Sequence, residues 1–258
     1  MLEWYLYPII VGAGFLAGFI NTLAGSGSLV TLPLLIFAGL PANVANGTNR
    51  VGILLQGVIG AGKFRQSNVF DGRGVFMLGI PAVLGSLVGA QIAVNLDEEL
   101  MELTIGVIML LMLGVILLRP QRWLEGELQR MQERPSIGAL ILFFFIGIYG
   151  GFIQAGVGIF LLAGLVLGVG YDLVRANAVK VGINLFFTVF ALLVFVRNGQ
   201  VVWSVGLILA IGNMLGAWAA AKVAVEKGAV WVRRLLIAVI LVSAASLLGV
   251  FDLIMGLL

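Results

Sequence analysis

The sequence contains no cysteine and no histidine, and only 10% of its 258 residues are charged. The missing residues exclude disulfides, thiol chemistry, and zinc or haem sites built from those ligands. A soluble domain would be about one quarter charged, whereas 61% of this chain is hydrophobic. Such a chain has too little polar surface for a water-soluble globule, so the composition predicts an all-α polytopic membrane protein.

The long apolar segments also lack aspartate and glutamate in their interiors. No general base, nucleophile–base pair or metal cluster can be assembled from them, so we predict no enzyme, no catalytic residue, no metal and no cofactor. Proton-coupled carriers usually place an ionisable group on the transport path. A carrier with this sequence would be uncoupled, use Na⁺ held by backbone carbonyls, or carry the proton on a weakly acidic substrate.

A small-residue motif occurs twice in the chain at a constant offset of 131 residues. The aligned landmarks are Ala24-Gly25-Ser26-Gly27-Ser28 with Ala155-Gly156-Val157-Gly158, Gly39 with Gly170, Ala45-Asn46 with Ala176-Asn177, and Gly85 with Gly216. Each motif is followed by an apolar segment of about a dozen residues, which is shorter than the roughly 20 that a full span needs. We therefore predict two repeats, 1–118 and 136–258, each of about five helices with a break in the first, joined by a linker at 119–135.

Lysine and arginine concentrate at 63–73, 119–135 and 222–234, which we predict to be loops. The positive-inside tendency places these loops in the cytoplasm and both termini outside the cell membrane. Five crossings per repeat then invert the second repeat relative to the first, a common arrangement in secondary transporters. In an alternative count the short segments are re-entrant, about eight spans remain and the repeats are parallel, which sends one basic loop outside.

The two glycine breaks are the first candidate site. A helix broken inside a membrane exposes unpaired N–H groups and a positive dipole end, which suit an anion. Close helix packing explains most of the 36 glycines, but the repetition of the breaks favours a site there. We predict a substrate site formed by Gly25, Ser26, Gly27, Ser28, Asn46, Thr48, Asn49, Arg50, Gly156, Val157, Gly158, Asn177, Lys180 and Asn184.

Arg50 and Lys180 would supply charge to this site. Each follows an Ala-Asn pair near the start of the third helix of its repeat, and neither segment contains a carboxylate. An unpaired cation facing a cavity would attract an anion, and an ionisable group at membrane depth is a functional candidate by default. The alternative is that both side chains snorkel to the membrane surface.

The break followed by a short Leu/Pro helix, with Ala45-Asn46-Gly47-Thr48-Asn49-Arg50 after it, resembles the TauE/SafE sulfite exporter family. Both repeats carry the pattern, although Val157 and Ile159 stand where the family usually has glycine. The resemblance implies a bacterial-type plasma-membrane permease for a small sulfur-containing anion, sulfite or a sulfonate, and allows a homodimer. Besides this anion and the lipid bilayer, we predict no nucleic-acid partner. An anion-selective channel and a non-transporting membrane subunit are the alternatives.

Overall fold

The computed structural model describes residues 6–118 and 135–247, and every regular element in these ranges is helical. The first half contains α1 (Leu6–Leu23), α2 (Ser28–Phe37), α3 (Ala42–Gln66), α4 (Gly72–Asn95) and α5 (Glu98–Leu118). The second contains α6 (Ile137–Phe152), α7 (Val157–Ala163) with a π-helical turn at Gly164–Val169, α8 (Leu173–Arg197) and α9 (Trp203–Leu247). The all-α prediction is confirmed, whereas the predicted linker at 119–135 lies outside the described residues except for Pro135.

The offset of 131 residues recurs in the backbone itself. Helix α8 begins and ends 131 positions after α3. Left-handed residues also recur at this offset, namely Gly25 and Gly156 (φ 78° and 72°), Gly39 and Gly170 (91° and 90°), and Asn68 and Gly199 (57° and 68°). The chain therefore follows the same local path twice.

Three of the described helices are long and apolar enough to cross a membrane: α4, α8 and the Trp203–Lys227 part of α9. Helix α3 is as long as α8, but the polar run from Asn46 to Arg50 makes it less apolar. Together with the composition, these helices define a multi-pass membrane protein.

Helix α1 runs parallel to α9 and is packed closely against it. Gly14 lies beside Leu209, and Gly18 lies beside Asn213, so the residue numbers rise together along the two helices. The small residues let the backbones approach, because a Cβ atom on either glycine would lie within 2.6 Å of the α9 backbone. Helix α3 is also parallel to α9, since the Val202 N–H donates to Thr48 Oγ1 at 2.9 Å and Gly52 lies further along beside Leu209.

Because α1 and α3 run in the same direction, the short helix α2 must lead the chain back between them. Leu35, in the second half of α2, shares an apolar cluster with Ile10 near the start of α1 and Ala45 near the start of α3. Helices α1 and α2 therefore form a helical hairpin, called here the first hairpin, whose tip is the glycine break.

Helices α6 and α7 form the second hairpin in the same way. Helix α6 runs parallel to α4, with Gly85 beside Phe144 and Gly89 beside Ile148, and the π-helical turn after α7 brings Gly164 back beside Phe143. The equivalent helices α3 and α8 are antiparallel to each other. Gly57 lies beside Leu185 and Gly60 lies beside Val181, so the residue numbers rise along α3 as they fall along α8. The two hairpins thus enter the molecule from opposite ends.

In both hairpins the short helix runs back toward the end at which the first helix of the hairpin begins. The number of membrane crossings stays a prediction. The orientation of the two halves in a membrane stays a prediction.

The fourth helix of each half packs with the opposite half. Helices α1 and α3 pack with α9, and α2 lies against α1 and α3. Helices α6 and α8 pack with α4, and α7 lies against α6 and α8. We call these groups the first and the second bundle. In both bundles, glycines let the exchanged helix approach closely, because each glycine lies against the backbone of the partner helix. These glycines are Gly14 and Gly18 of α1 with Gly212 and Gly216 of α9, and Gly85 and Gly89 of α4 with Gly147 and Gly151 of α6.

Two predicted basic loops are largely helical. Only Ser67–Asp71 lies outside a helix between α3 and α4, so Lys63 and Arg65 belong to the last turn of α3, where cations suit the helix dipole. Residues 222–234 continue α9, and Lys222 pairs with Glu226 one turn later at 3.9 Å. At the equivalent place in the first half the chain is divided into α4 and α5, and the Asp97 carboxylate caps α5 by accepting the Leu100 N–H. The residue equivalent to Asp97 in the second half is a glycine, Gly228.

An ionic hydrogen bond ties the base of the second hairpin to α4. The Tyr171 hydroxyl donates to Asp71, whose other carboxylate oxygen accepts the Gly74 N–H at 3.0 Å. Burial acts to raise the pKa of Asp71, but the hydrogen bonds from Tyr171 and from the backbone N–H groups of Gly74 and Arg73 outweigh it, and the pKa is lowered.

We expect Tyr171→Phe to lower the free energy of unfolding by about 0.5–1.5 kcal/mol, the usual net value of one hydrogen bond. Because the folded-state pKa of Asp71 is lowered, its charge stabilises the fold above the ordinary carboxyl pKa and stops doing so as pH falls below about 4. Detergent-solubilised protein unfolded at several pH values would measure this. Equal stability of wild type and Tyr171→Phe at pH 7 would contradict the tie.

Candidate functional site

The tips of the two hairpins touch at the centre of the fold. The Gly158 N–H donates to the Gly25 carbonyl at 3.1 Å. A Cβ atom on Gly25 would lie 2.2 Å from the Gly158 Cα, and one on Gly158 would lie 2.2 Å from the Gly25 Cα. Gly25 and Gly156 also adopt left-handed φ angles, which favour glycine. The predicted breaks therefore meet each other directly.

Backbone donors collect at the first tip. Helix α2 begins at Ser28 without a side-chain cap, and Ser26 and Ser28 are only 5% and 2% exposed. Among the described residues, the N–H groups of Ser26, Gly27 and Ser28 make no hydrogen bond. Buried N–H groups normally have an acceptor. These three therefore indicate an acceptor that the described part of the chain does not supply.

Arg50 is fully buried and caps the C-terminal end of α6. Its Nη1 donates to the Gly150 carbonyl at 3.0 Å, and its Nη2 donates to those of Gly151 at 2.6 Å and Phe152 at 3.3 Å. Asn46 also donates to the Phe152 carbonyl, at 2.8 Å. These are carbonyls that a helix ending inside a protein leaves without partners.

Lys180 makes the equivalent contact at the end of α1. Its Nζ donates to the carbonyls of Thr22 at 2.8 Å and Asn21 at 3.3 Å, and to Asn177 Oδ1 at 2.7 Å. Lys180 is 2% exposed and Arg50 is fully buried, so neither side chain snorkels. Each cation belongs to one half of the chain and caps the hairpin of the other half.

The partners of the two cations differ from those expected from the sequence. The ion pairs among the described residues, Arg175–Asp172 and Lys222–Glu226, involve neither of them, as the lack of carboxylates in their segments suggested. They are nevertheless not unpaired, because backbone carbonyls take the place of carboxylates.

Asn49 and Thr48, which were also predicted for the site, lie in different places. Asn49 accepts from Thr31 Oγ1 at 2.7 Å and donates to Ser28 Oγ at 3.2 Å, so it braces the start of α2. Thr48 instead accepts the N–H of Val202, the residue before α9. This hydrogen bond joins α3 to the start of α9, away from the hairpin tips.

A second polar cluster lies beside the second tip. Gln154 Nε2 donates to Asn184 Oδ1 at 2.9 Å and to Thr188 Oγ1 at 2.6 Å. The first half has Leu23, Ile53 and Gly57 at the equivalent positions, so this cluster has no counterpart.

Sequence reasoning missed Thr31, Gln56 and Thr188 as members of these networks. Thr188 follows Asn184 by four residues, a spacing that places both on one helix face, and this signal could have identified it. Thr31 and Gln56 join through contacts between helices, Thr31 to Asn49 and Gln56 to Asn21, which no local spacing indicates.

Several buried side-chain atoms at the centre have no partner among the described residues. They include two donors, Arg50 Nε and Asn177 Nδ2, and two acceptors, Gln154 Oε1 and Asn213 Oδ1. Both donors belong to groups that cap a hairpin helix. Together with the three backbone N–H groups of the first tip, the two side-chain donors make five buried donors without an acceptor among the described residues.

The helical fold, with broken helices meeting inside an apolar molecule, defines a polytopic membrane protein of the kind that transporters form. The model of the family described as sulfite exporter TauE/SafE matches residues 10–247. The chain belongs to this family, and it is a membrane transporter.

Curated relatives cover nearly the whole chain. "Probable membrane transporter protein ORF9" of Sinorhizobium sp is 30% identical over 96% of this chain and 94% of its own length. "Probable membrane transporter protein YfcA" of Escherichia coli strain K12 is 30% identical over 93% and 90%. A "probable membrane transporter protein" of Haemophilus influenzae is 27% identical over 90% of each chain. No solved structure matches the chain significantly.

We expect Gly25→Ala to prevent the two tips from meeting. The left-handed backbone alone costs a residue with a Cβ about 1–3 kcal/mol, and the new Cβ would overlap the Gly158 backbone. The yield and unfolding midpoint of the purified variant measure the effect. Gly12→Ala is the matched control, because Gly12 is exposed on α1 and a Cβ there meets nothing within 4 Å. Equal loss in both variants would contradict the tip contact.

Proposed function

We propose that the chain is a secondary transporter of a small anion, and that this anion binds where the hairpin tips meet. Sulfite or an organosulfonate is the substrate class that we rank first. The observation that carries the proposal is the set of buried donors without acceptors: the N–H groups of Ser26, Gly27 and Ser28, with Arg50 Nε and Asn177 Nδ2. An anion offers only acceptors, and backbone N–H groups at a helix start are a common way to hold one.

A sulfo group fits this set of donors because its oxygens can accept several hydrogen bonds at once. The donors come from both halves, since Ser26, Gly27 and Ser28 belong to the first tip and Asn177 belongs to α8. The family's description as sulfite exporters supports the same chemistry. The relatives' names give no substrate, so the choice between sulfite and a larger sulfonate rests on measurement.

Alternating access follows from how the bundles are related. Equivalent helices α3 and α8 are antiparallel, and the hairpins enter from opposite ends, which supports two inverted repeats in the membrane. Rocking of one bundle on the other would open the tips first to one side and then to the other. Because α4 and α9 are exchanged, the moving bodies would be the bundles and not the sequence halves 1–118 and 136–258.

The tip contact favours a carrier over a channel. The backbones of Gly25 and Gly158 are joined by a hydrogen bond, so an open pore would first require the tips to separate. A non-transporting subunit would leave the buried donors unexplained.

We expect sulfite or a sulfonate to stabilise the purified protein, by about 2.7 kcal/mol at 100 times its Kd. A thermal-shift series with sulfite, sulfate, taurine, sulfoacetate and acetate would measure this, followed by flux into proteoliposomes. Stabilisation by one sulfur-containing anion with saturable flux is the expected result. Neither a shift nor flux with any of these anions would overturn the proposed substrate class.

The proposed orientation can be tested with cysteines, because the chain has none of its own. Ser67 and Asn198 are equivalent by the offset of 131 and lie in the turns after α3 and α8. We expect an impermeant maleimide to label Asn198→Cys in intact cells and Ser67→Cys only from the cytoplasmic side. Labelling of both from the same side would contradict inverted repeats in the plasma membrane.

A further inference from the structure

We infer that Lys180 makes the site selective for anions without touching the substrate. Its positive charge offsets the negative C-terminal end of α1, which it caps. The inference rests on the proposed function and changes the role that the sequence suggested for this lysine. In this view Lys180 is a positioning residue, and the substrate is held by other donors.

Each hairpin tip presents two helix ends of opposite sign. The C-terminal end of α1, at Leu23, lies only a few residues from the N-terminal end of α2, at Ser28. A helix C-terminus carries about −0.5 elementary charge and an N-terminus about +0.5. On their own, the charges of the two helix ends at a hairpin tip would nearly cancel, and their field would add little to the preference for an anion that the N–H donors give.

The cations remove this cancellation. Lys180 sits on the last carbonyls of α1, and Arg50 sits on those of α6. Four helix ends sum to about zero by the values above, so each of these side chains, when protonated, leaves the centre with a net positive charge. No carboxylate takes part in the ion pairs or hydrogen bonds of either cation among the described residues. The positive end of α2, whose first N–H groups have no partner among the described residues, is then free to act on a substrate.

Lys180 has no donor left for a substrate. An ammonium has three N–H donors, and Lys180 has three acceptors: the carbonyls of Asn21 and Thr22, and Asn177 Oδ1. Arg50 differs, because its Nε remains without a partner. The two cations therefore share the capping role, but Arg50 alone keeps a donor that can reach an anion.

The experiment separates the charge of Lys180 from its capping. Lys180→Gln keeps N–H donors for the α1 carbonyls but removes the charge, whereas Lys180→Arg keeps both. The matched control is Arg197→Gln, which removes a positive charge from the exposed end of the same helix. For each variant, the KM and Vmax for radiolabelled sulfite would be measured in proteoliposomes, with sulfate and taurine as competitors. Hydrogen exchange of residues 20–28 would be followed in parallel.

We expect Lys180→Gln to raise the KM for sulfite at least 10-fold and to weaken sulfite and sulfate binding by similar factors, because the field acts on charge and not on shape. Hydrogen exchange at the tip should stay near that of the wild type. Lys180→Arg should restore the KM to within a few-fold, and Arg197→Gln should leave it unchanged.

An unchanged KM in folded Lys180→Gln would overturn the inference. So would a loss confined to one anion that Lys180→Arg fails to restore, because that pattern indicates direct contact. If Lys180→Gln does not fold, Lys180→Arg is the deciding variant: similar changes of a few-fold or less for sulfite and sulfate support the inference, and a large loss confined to one anion overturns it. A wild-type protein that neither binds nor moves sulfite would refute the proposed substrate and not the role of Lys180.

Discussion

The fold depends on how two helices end inside an apolar molecule. Helices α1 and α6 stop near the centre, where water cannot satisfy their last carbonyl groups. A cation from the opposite half solves this problem at each end, Lys180 for α1 and Arg50 for α6. The contact binds the two halves together where the tips meet, and the tips can then turn back as α2 and α7.

The same contact explains why so few charges occur in the interior. A carboxylate beside either cation would compete with the carbonyls and would neutralise the field at the tips. With neutral carbonyls as partners, a protonated side chain is hydrogen-bonded without being neutralised by an opposite charge, and these hydrogen bonds make a buried cation tolerable. The asymmetry between arginine and lysine then matters, because the guanidinium keeps its Nε donor and the ammonium keeps none.

The sequence allowed the repeat, its offset and the helical class to be predicted, because glycine breaks and apolar lengths are local signals. It also pointed to Arg50 and Lys180, because cations are conspicuous in apolar segments. It could not reveal their partners, since the carbonyls of Gly150 and Thr22 belong to the backbone and leave no trace in residue type. The hairpins were missed for a related reason: the length of α1 is compatible with a full crossing, and only its packing beside α9 shows where it turns.

The interval at 222–234 was misread because a cluster of lysine and arginine is typical of a loop at the membrane surface. Helix α9 continues through this cluster, whereas at the equivalent place in the first half, which has no lysine or arginine, Asp97 caps the start of α5. Charge placement thus predicted the wrong local structure at 222–234, and the sidedness that it predicts stays a prediction.

The exchange of α4 and α9 has a consequence for synthesis and ancestry. When the ribosome has made the first half, the groove formed by Gly14 and Gly18 still lacks its partner, and it waits until the chain has been extended beyond residue 216. Neither half can bury its own small-residue faces, so the two must be made together or co-expressed. A half-length ancestor would have met the same requirement as an antiparallel pair, with each copy lending its fourth helix to the other.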